Sequence, residues 1–137
     1  MPKSISPLRY PGGKTRVVKD LINLFPSFSE YREPFLGGGS VFFQTITHVN
    51  PEKCWINDLN SDLYMFWDSV KNSLAELVNE IVEIREKFNG RGKELYLYLK
   101  PQSDTYSPLE TAVRFFILNR ITYSGLTDSG GYSNESF

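Results

Sequence analysis

The sequence holds a single cysteine, Cys54, and a single histidine, His48. One cysteine excludes an intramolecular disulfide framework and a thiolate-rich metal site, and one histidine excludes a multi-histidine metal centre. No apolar run approaches the ~20 residues of a membrane span, and the N-terminus lacks the apolar stretch of a signal peptide. We therefore expect a cytoplasmic protein of a reducing compartment, with no metal and no membrane partner.

Length and charge point to one folded domain. The 137 residues suit a single domain, because chains divide mainly beyond roughly 250–300 residues. Hydrophobic residues make up 40%, charged residues 23%, and the net charge is −1, which excludes wholesale disorder. The first 19 residues contain no acid and five cations: Lys3, Arg9, Lys14, Arg16 and Lys19. This basic segment is compatible with a local phosphate contact and equally with a solvated chain end.

Apolar spacing and turn residues predict alternating helices and strands. The predicted elements are a helix at 17–25 capped by Thr15, a strand at 31–35, a short helix from Ser40, a strand at 53–57, and helices near 61–70, 73–88 and 109–121. Ser73 and Glu76 have the spacing of a capping box, and residues 89–92 are expected to break the helix that follows it. The order is that of a βαβ nucleotide-type site, which predicts the α/β class. Two strands make an unfinished sheet, where about four to six are usual.

A glycine run lies between the first strand and its helix. Gly37, Gly38 and Gly39 let a ligand approach the backbone, and Asp58 follows 19 to 21 residues later, the spacing of a ribose-binding acid. A dinucleotide fingerprint fails, because Phe42 stands where a small residue is needed. With Glu33 just before the run, two acids favour a cationic ligand, S-adenosylmethionine, over NAD. The alternative is a glycine-rich turn with Asp58 capping a helix.

A separate glycine pair, Gly12-Gly13, is followed by Lys14 and partly resembles a phosphate-binding loop. That motif needs a glycine five residues before Gly13, but Leu8 stands there, and no convincing strand precedes it. What remains is a turn that presents Lys14 and Tyr10, or an ordinary loop ahead of a helix.

Three segments in series resemble one family. They are residues 8–14 (LRYPGGK), 32–40 (REPFLGGGS) and 55–60 (WINDLN). Their order and spacing are similar to those of the Dam-type DNA adenine methyltransferases, and the second segment is a specific signature. The resemblance covers the whole chain, as the N-terminal portion of such an enzyme.

The resemblance implies a Rossmann-like fold that transfers a methyl group from S-adenosylmethionine to the exocyclic amine of adenine in double-stranded DNA. Enzymes of this kind act in DNA methylation, including restriction-modification. The implied cofactor-binding residues are Tyr10, Pro11, Gly12, Gly13, Lys14, Glu33, Pro34, Phe35, Gly37, Gly38, Gly39, Ser40, Asp58 and Leu59. The implied DNA-binding residues are Arg9, Asn119, Arg120, Tyr123 and Ser124.

Tyr123 and Ser124 occupy the place where similar enzymes press an aromatic and a small polar side chain into the duplex. Stacking on a base is worth roughly 1–3 kcal/mol, which helps offset the cost of base flipping. Asp128 departs from the family pattern, since several relatives carry a cation near that position. No relative's target sequence is therefore carried over to this chain.

The family's catalytic motif, Asp-Pro-Pro-Tyr, is absent, because no two of the eight prolines are adjacent. We therefore expect residues 1–72 to form the cofactor-binding part, and residues 73–137 a helical insertion that leads into a truncated target-recognition region. The chain is expected to be inactive alone, with no catalytic residue of its own and with the missing C-terminal half as a partner. The alternatives are a non-catalytic cofactor- or DNA-binding fragment, a non-functional remnant, and an enzyme that acts on RNA.

Overall fold

The computed structural model describes residues 6–14 and 17–133. The elements, in chain order, are α1 (Val18–Asn23), β1 (Glu30–Glu33), α2 (Ser40–His48), β2 (Lys53–Ile56), α3 (Ser61–Asn72), α4 (Leu74–Lys87), α5 (Gly92–Leu99), α6 (Pro108–Ile121) and a 3-10 turn (Tyr123–Gly125). The structure is therefore mixed α/β, with six helices and a small parallel sheet among the described residues. None of these helices has the length and apolarity needed to cross a membrane.

The chain divides into two compact units, Met1–Leu59 and Asn60–Phe137. The first unit contains the sheet, in which β1 and β2 pair in parallel with Glu30 opposite Lys53 and Glu33 opposite Ile56. The helix between the strands, α2, contacts α1. A continuous aromatic cluster in this unit contains the rings of Phe25, Phe28, Tyr31, Phe42 and Phe43.

The second unit is helical, and α6 is its central element, packed most extensively against α3. Leu63 and Ile121 are completely buried, and the Phe66 ring stacks on Phe116 with centroids 5.6 Å apart. Arg114, buried in α6, donates from Nε to the Leu99 carbonyl at 2.7 Å, and its Nη1 lies 3.5 Å from Asp62. One buried guanidinium therefore joins α3, the end of α5 and α6.

Several predicted helix ends differ from the observed ones. Ser73 does not cap α4 with its side chain, so the predicted capping box is wrong. Ser73 also caps the C-terminus of α3, and its φ of −145° and ψ of 39° fall outside the usual N-capping region. The capping box lies instead at Ser107 and Glu110, ahead of α6. The helix α5 has no counterpart among the predicted elements, because the sequence Asn-Gly-Arg-Gly is typical of a helix break and not of a helix start. Thr15, the predicted first cap, lies outside the described residues.

Candidate functional site

The parallel sheet brings the ends of β1 and β2 to the same edge. Beyond the strands, the pairing continues, because the Asn57 amide donates to the Glu33 carbonyl and the Leu36 amide donates to the Asn57 carbonyl, both at 2.9 Å. Asp58 follows directly, and its Oδ2 accepts a hydrogen bond from the Gly37 amide at 2.8 Å. The acid at the end of β2 is thereby attached to the glycine turn that follows β1.

The glycine turn is tight and buried. Gly37 and Gly39 have φ of 51° and 71°, the left-handed region that glycine adopts at little cost, and the Gly39 amide donates to the Leu36 carbonyl at 2.9 Å. The Tyr10 ring lies against this turn, so closely that a Cβ on Gly37 would meet Tyr10 Cε1 at 2.9 Å. The missing side chains therefore make room for Tyr10 in this structure, as well as exposing backbone to the cleft.

Glu33 lies beside the cleft at the end of β1. Its Oε2 accepts a hydrogen bond from the Tyr31 hydroxyl at 2.7 Å, and the backbone N–H of Phe42, in the first turn of α2, also bonds to the carboxylate. Gly39 has no side chain that could cap α2, and Glu33 instead accepts a hydrogen bond from a backbone N–H at the N-terminus of that helix. Burial raises the pKa of Glu33 above its ordinary value, and the two hydrogen bonds act in the opposite direction. Among the ion pairs of the described residues, none involves Glu33.

The leading segment closes another side of the cleft. The Gly13 amide donates to the Tyr10 carbonyl at 3.0 Å, and Lys14 Nζ donates to the Gly12 carbonyl at 2.9 Å. Burial, and then the negative charge of Asp58, raise the pKa of Tyr10. Tyr10 therefore remains a neutral hydroxyl at physiological pH, a polar group beside an acid rather than a second anion.

These groups enclose a cleft of about 360 Å³ within the first unit. All of the predicted cofactor residues line it except Pro34, Asp58 and Leu59. Asp58 reaches the lining through its bond to Gly37, whereas the Leu59 side chain is 89% exposed. The lining contains the Glu33 carboxylate, the Lys14 ammonium and the backbone of the glycine turn, and the Asp58 carboxylate is bonded to that turn.

Three apolar residues of the lining, Leu21, Leu36 and Val41, were not predicted. Leu21 lies in the predicted helix at 17–25, Leu36 lies within the segment 32–40, and Val41 follows that segment. Their signal in the sequence was adjacency to the motif. A second cleft, of about 430 Å³ between α4, α5 and α6, contains none of the predicted site residues.

The predicted DNA-binding residues fall in both units. Arg9 is half-buried in the first unit. In the second unit, Tyr123 is 61% exposed and Ser124 is exposed, whereas Arg120 is half-buried and Asn119 is almost fully buried at the end of α6. Their contacts with DNA remain a prediction. Among the described residues, no group of His, Cys, Asp and Glu could hold a metal ion.

The profile of one protein family, the D12 class of N6 adenine-specific DNA methyltransferases, matches residues 10–137. The chain is 28% identical over 133 residues to the type II methyltransferase M.MjaIII of Methanocaldococcus jannaschii, covering 87% of this chain and 46% of that protein. It is 30% identical to the DNA adenine methylases of Vibrio cholerae and Escherichia coli K12, covering 97% and 92% of this chain and 48% and 44% of those proteins.

The match extends over most of this sequence, and it includes the glycine turn, both acids and α6. The chain therefore belongs to the D12 class of N6 adenine-specific DNA methyltransferases. It spans about half the length of the curated relatives it matches.

The contact between Gly37 and Tyr10 gives a stability prediction. We expect Gly37→Ala to lower the free energy of unfolding by about 2–4 kcal/mol, because the new Cβ meets both a left-handed φ and the Tyr10 ring. In a Tyr10→Ala background the ring is gone, and the cost should fall to that of the backbone alone. Chemical denaturation of the four proteins in a double-mutant cycle measures this coupling.

Gly12→Ala is the matched control for that cycle. Gly12 also has a left-handed φ, of 75°, but nothing lies within 4 Å of its added Cβ. We expect Gly12→Ala to lower the free energy of unfolding by only about 1–2 kcal/mol and to show no coupling to Tyr10. Equal costs at Gly12 and Gly37, unchanged by Tyr10→Ala, would mean that the ring does not rest on the glycine turn.

Proposed function

We propose that this chain is the portion of a site-specific DNA adenine methyltransferase that binds the cofactor and begins the DNA-binding region. In this proposal, the cleft of the first unit binds S-adenosylmethionine, and the end of α6 with the turn after it meets double-stranded DNA. The whole enzyme transfers the methyl group to the exocyclic amine of adenine in the cytoplasm, as in restriction-modification. The observation that carries the proposal is the pair of acids, Glu33 and Asp58, beside the same glycine turn.

The cleft fits S-adenosylmethionine by its charges. The sulfonium and ammonium of this molecule are cationic, and Glu33, which pairs with no described cation, is available to one of them. The carboxylate of its methionine moiety suits Lys14, and its ribose hydroxyls suit Asp58, which already accepts an N–H hydrogen bond. When bound, the cofactor supplies an activated methyl group, and the residues of this chain hold and orient it.

We further propose that the sheet belongs to a Rossmann-like fold completed by the C-terminal half of the enzyme. Strands of parallel sheets are normally buried on both faces, yet Lys53, Cys54 and Trp55 of β2 are all exposed, Trp55 by 51%. Further strands and helices would cover this surface. In functional terms, residues 1–72 then serve the cofactor, and residues 73–137 lead into target recognition.

Titration calorimetry with S-adenosylmethionine tests the proposal. Glu33→Gln keeps an oxygen that can accept from Tyr31 and Phe42 but removes the charge. We expect it to weaken binding by about 10- to 100-fold, the worth of one charge-assisted contact. Glu30→Gln, in the same strand, is the control, because Glu30 pairs with Arg32 in solvent and should change the affinity by less than about twofold.

The pH dependence of the same titration should report Glu33. A cationic ligand favours the ionised carboxyl, so affinity is present at high pH and is lost as pH falls through the raised pKa of Glu33. The loss should begin above the ordinary value of 4.5 and should be absent in Glu33→Gln. The free energy of unfolding has the opposite pH dependence. The raised pKa of Glu33 stabilises the folded state at low pH, and this contribution is lost as pH rises through that pKa. No binding at any pH would reject the cofactor site, and equal affinity of wild type and Glu33→Gln would reject the role of the acid.

The isolated chain should bind without catalysing. The family's Asp-Pro-Pro-Tyr motif supplies the group that polarises the adenine amine, and these residues do not occur in the sequence. An assay of labelled methyl transfer to adenine-containing duplex DNA should therefore give no turnover, with an intact adenine methyltransferase as positive control. Turnover by this chain would contradict the assignment of chemistry to the missing motif. Absence of both turnover and cofactor binding would favour a non-functional remnant instead.

A further inference from the structure

We propose that Asn119 is a positioning residue that holds the turn Tyr123–Gly125 so that the Tyr123 ring remains projected into solvent. The functional consequence, an aromatic side chain ready to enter the duplex, rests on the proposed function. The positioning itself rests only on the geometry of the second unit. In this proposal Asn119 acts through the turn that it holds.

The first observation is a buried hydrogen bond between the helix and the turn. Asn119 lies near the end of α6 and is 1% exposed. Its Nδ2 donates to the carbonyl of Gly125 at 3.1 Å, and Gly125 is itself buried. If a buried amide donor and a buried carbonyl separate, both are left without a partner, which costs more free energy than losing a bond that water can replace. This bond therefore favours a single arrangement of the turn.

The second observation is the backbone conformation that the bond maintains. Ser124 has φ of 56° and Gly125 has φ of 72°, two successive residues in the left-handed region. Glycine adopts this region freely, but Ser124 carries a Cβ that disfavours it. Surrounding contacts must therefore impose the conformation, and the amide of Asn119 is attached to the residue directly after Ser124.

The third observation is that the other restraints act on the backbone around Tyr123. The Tyr123 amide donates to the Gly131 carbonyl at 3.1 Å, and the Ser133 amide donates to the Ile121 carbonyl at 2.8 Å. The ring of Tyr123 nevertheless stays 61% exposed. A side chain presented from a fixed backbone loses less conformational freedom on binding, which is the physical advantage of holding it in place.

Hydrogen exchange of the full chain tests the positioning without any ligand. We expect Asn119→Ala and Asn119→Asp, which both remove the N–H donor, to speed exchange of the amides of residues 123–131 by about tenfold. Asn119→Asp leaves no cavity and Asn119→Ala buries no charge, so faster exchange of the turn in both variants points to the N–H donor that both lack. Ile121→Val, which trims a buried side chain of the same helix, should leave the turn unchanged.

Adding Ser124→Gly to Asn119→Ala should restore part of the protection, because glycine accepts the left-handed conformation without the bond. Unchanged exchange in the turn would overturn the proposal. Equally faster exchange throughout α6 and the turn would also overturn it, because Asn119 would then support the whole unit.

Duplex DNA with 2-aminopurine in place of adenine adds a spectroscopic readout. Tyr123→Ala and Asn119→Ala should each reduce the fluorescence gain caused by base unstacking by severalfold, while anisotropy shows that DNA affinity changes less. An undiminished gain in Asn119→Ala would overturn the functional consequence. If the wild-type chain does not bind DNA, the proposed function fails at that point, and hydrogen exchange still decides the role of Asn119.

Discussion

The hydrogen bond from the Gly37 amide to the Asp58 carboxylate is the contact on which the site depends. It fixes the glycine turn after β1 to the residue that follows β2, at 2.8 Å. The glycine turn contacts the Tyr10 ring and leads directly into α2. The Glu33 carboxylate accepts a hydrogen bond from the Phe42 amide at the start of that helix. The cleft lined by residues between 10 and 41 is thus attached to the end of β2.

This construction has a consequence for ligand binding. Asp58 and Glu33 are both engaged with backbone N–H groups of the protein, and Tyr31 also donates to Glu33. A cationic ligand does not have to replace these bonds, because a carboxylate has several acceptor positions. The same acids can therefore hold the fold of the cleft and face a positively charged ligand.

The second unit uses buried polar groups in a similar way. Arg114 joins three helices through two carbonyls and Asp62, and Asn119 joins α6 to the turn after it. In both cases a side chain satisfies backbone carbonyls that the end of a helix or a turn leaves open. These bonds specify the arrangement of short elements that the apolar core alone would leave variable.

Much of the site could be predicted from the sequence, because the spacing of Glu33, the glycine run and Asp58 reflects the geometry of a parallel strand pair. The family itself was recognised from three short segments, and the profile match confirms it. What could not be predicted depends on tertiary contacts. The lining by Leu21 and Val41 and the ring of Tyr10 on the glycine turn are set by packing and leave no local pattern.

The predicted capping box at Ser73 failed for a related reason, since two helices share that residue and its backbone cannot serve both ends in the usual way. The ordered end of the second unit was also missed. There Thr122 and Tyr132 pair across an antiparallel bridge, although the residues between them are rich in glycine and serine. Composition did not reveal this pairing, because its backbone hydrogen bonds require no particular side chain.

The central claim is that the acid-flanked glycine turn is the place where the methyl donor binds. The most direct test is to follow the backbone amide resonances of Gly37, Gly38 and Gly39 by NMR while S-adenosylmethionine is added. Our account predicts that these amides shift together with those of Glu33 and Asp58, and that they saturate with a single affinity. Unchanged glycine amides, or shifts confined to residues 60–133, would contradict it.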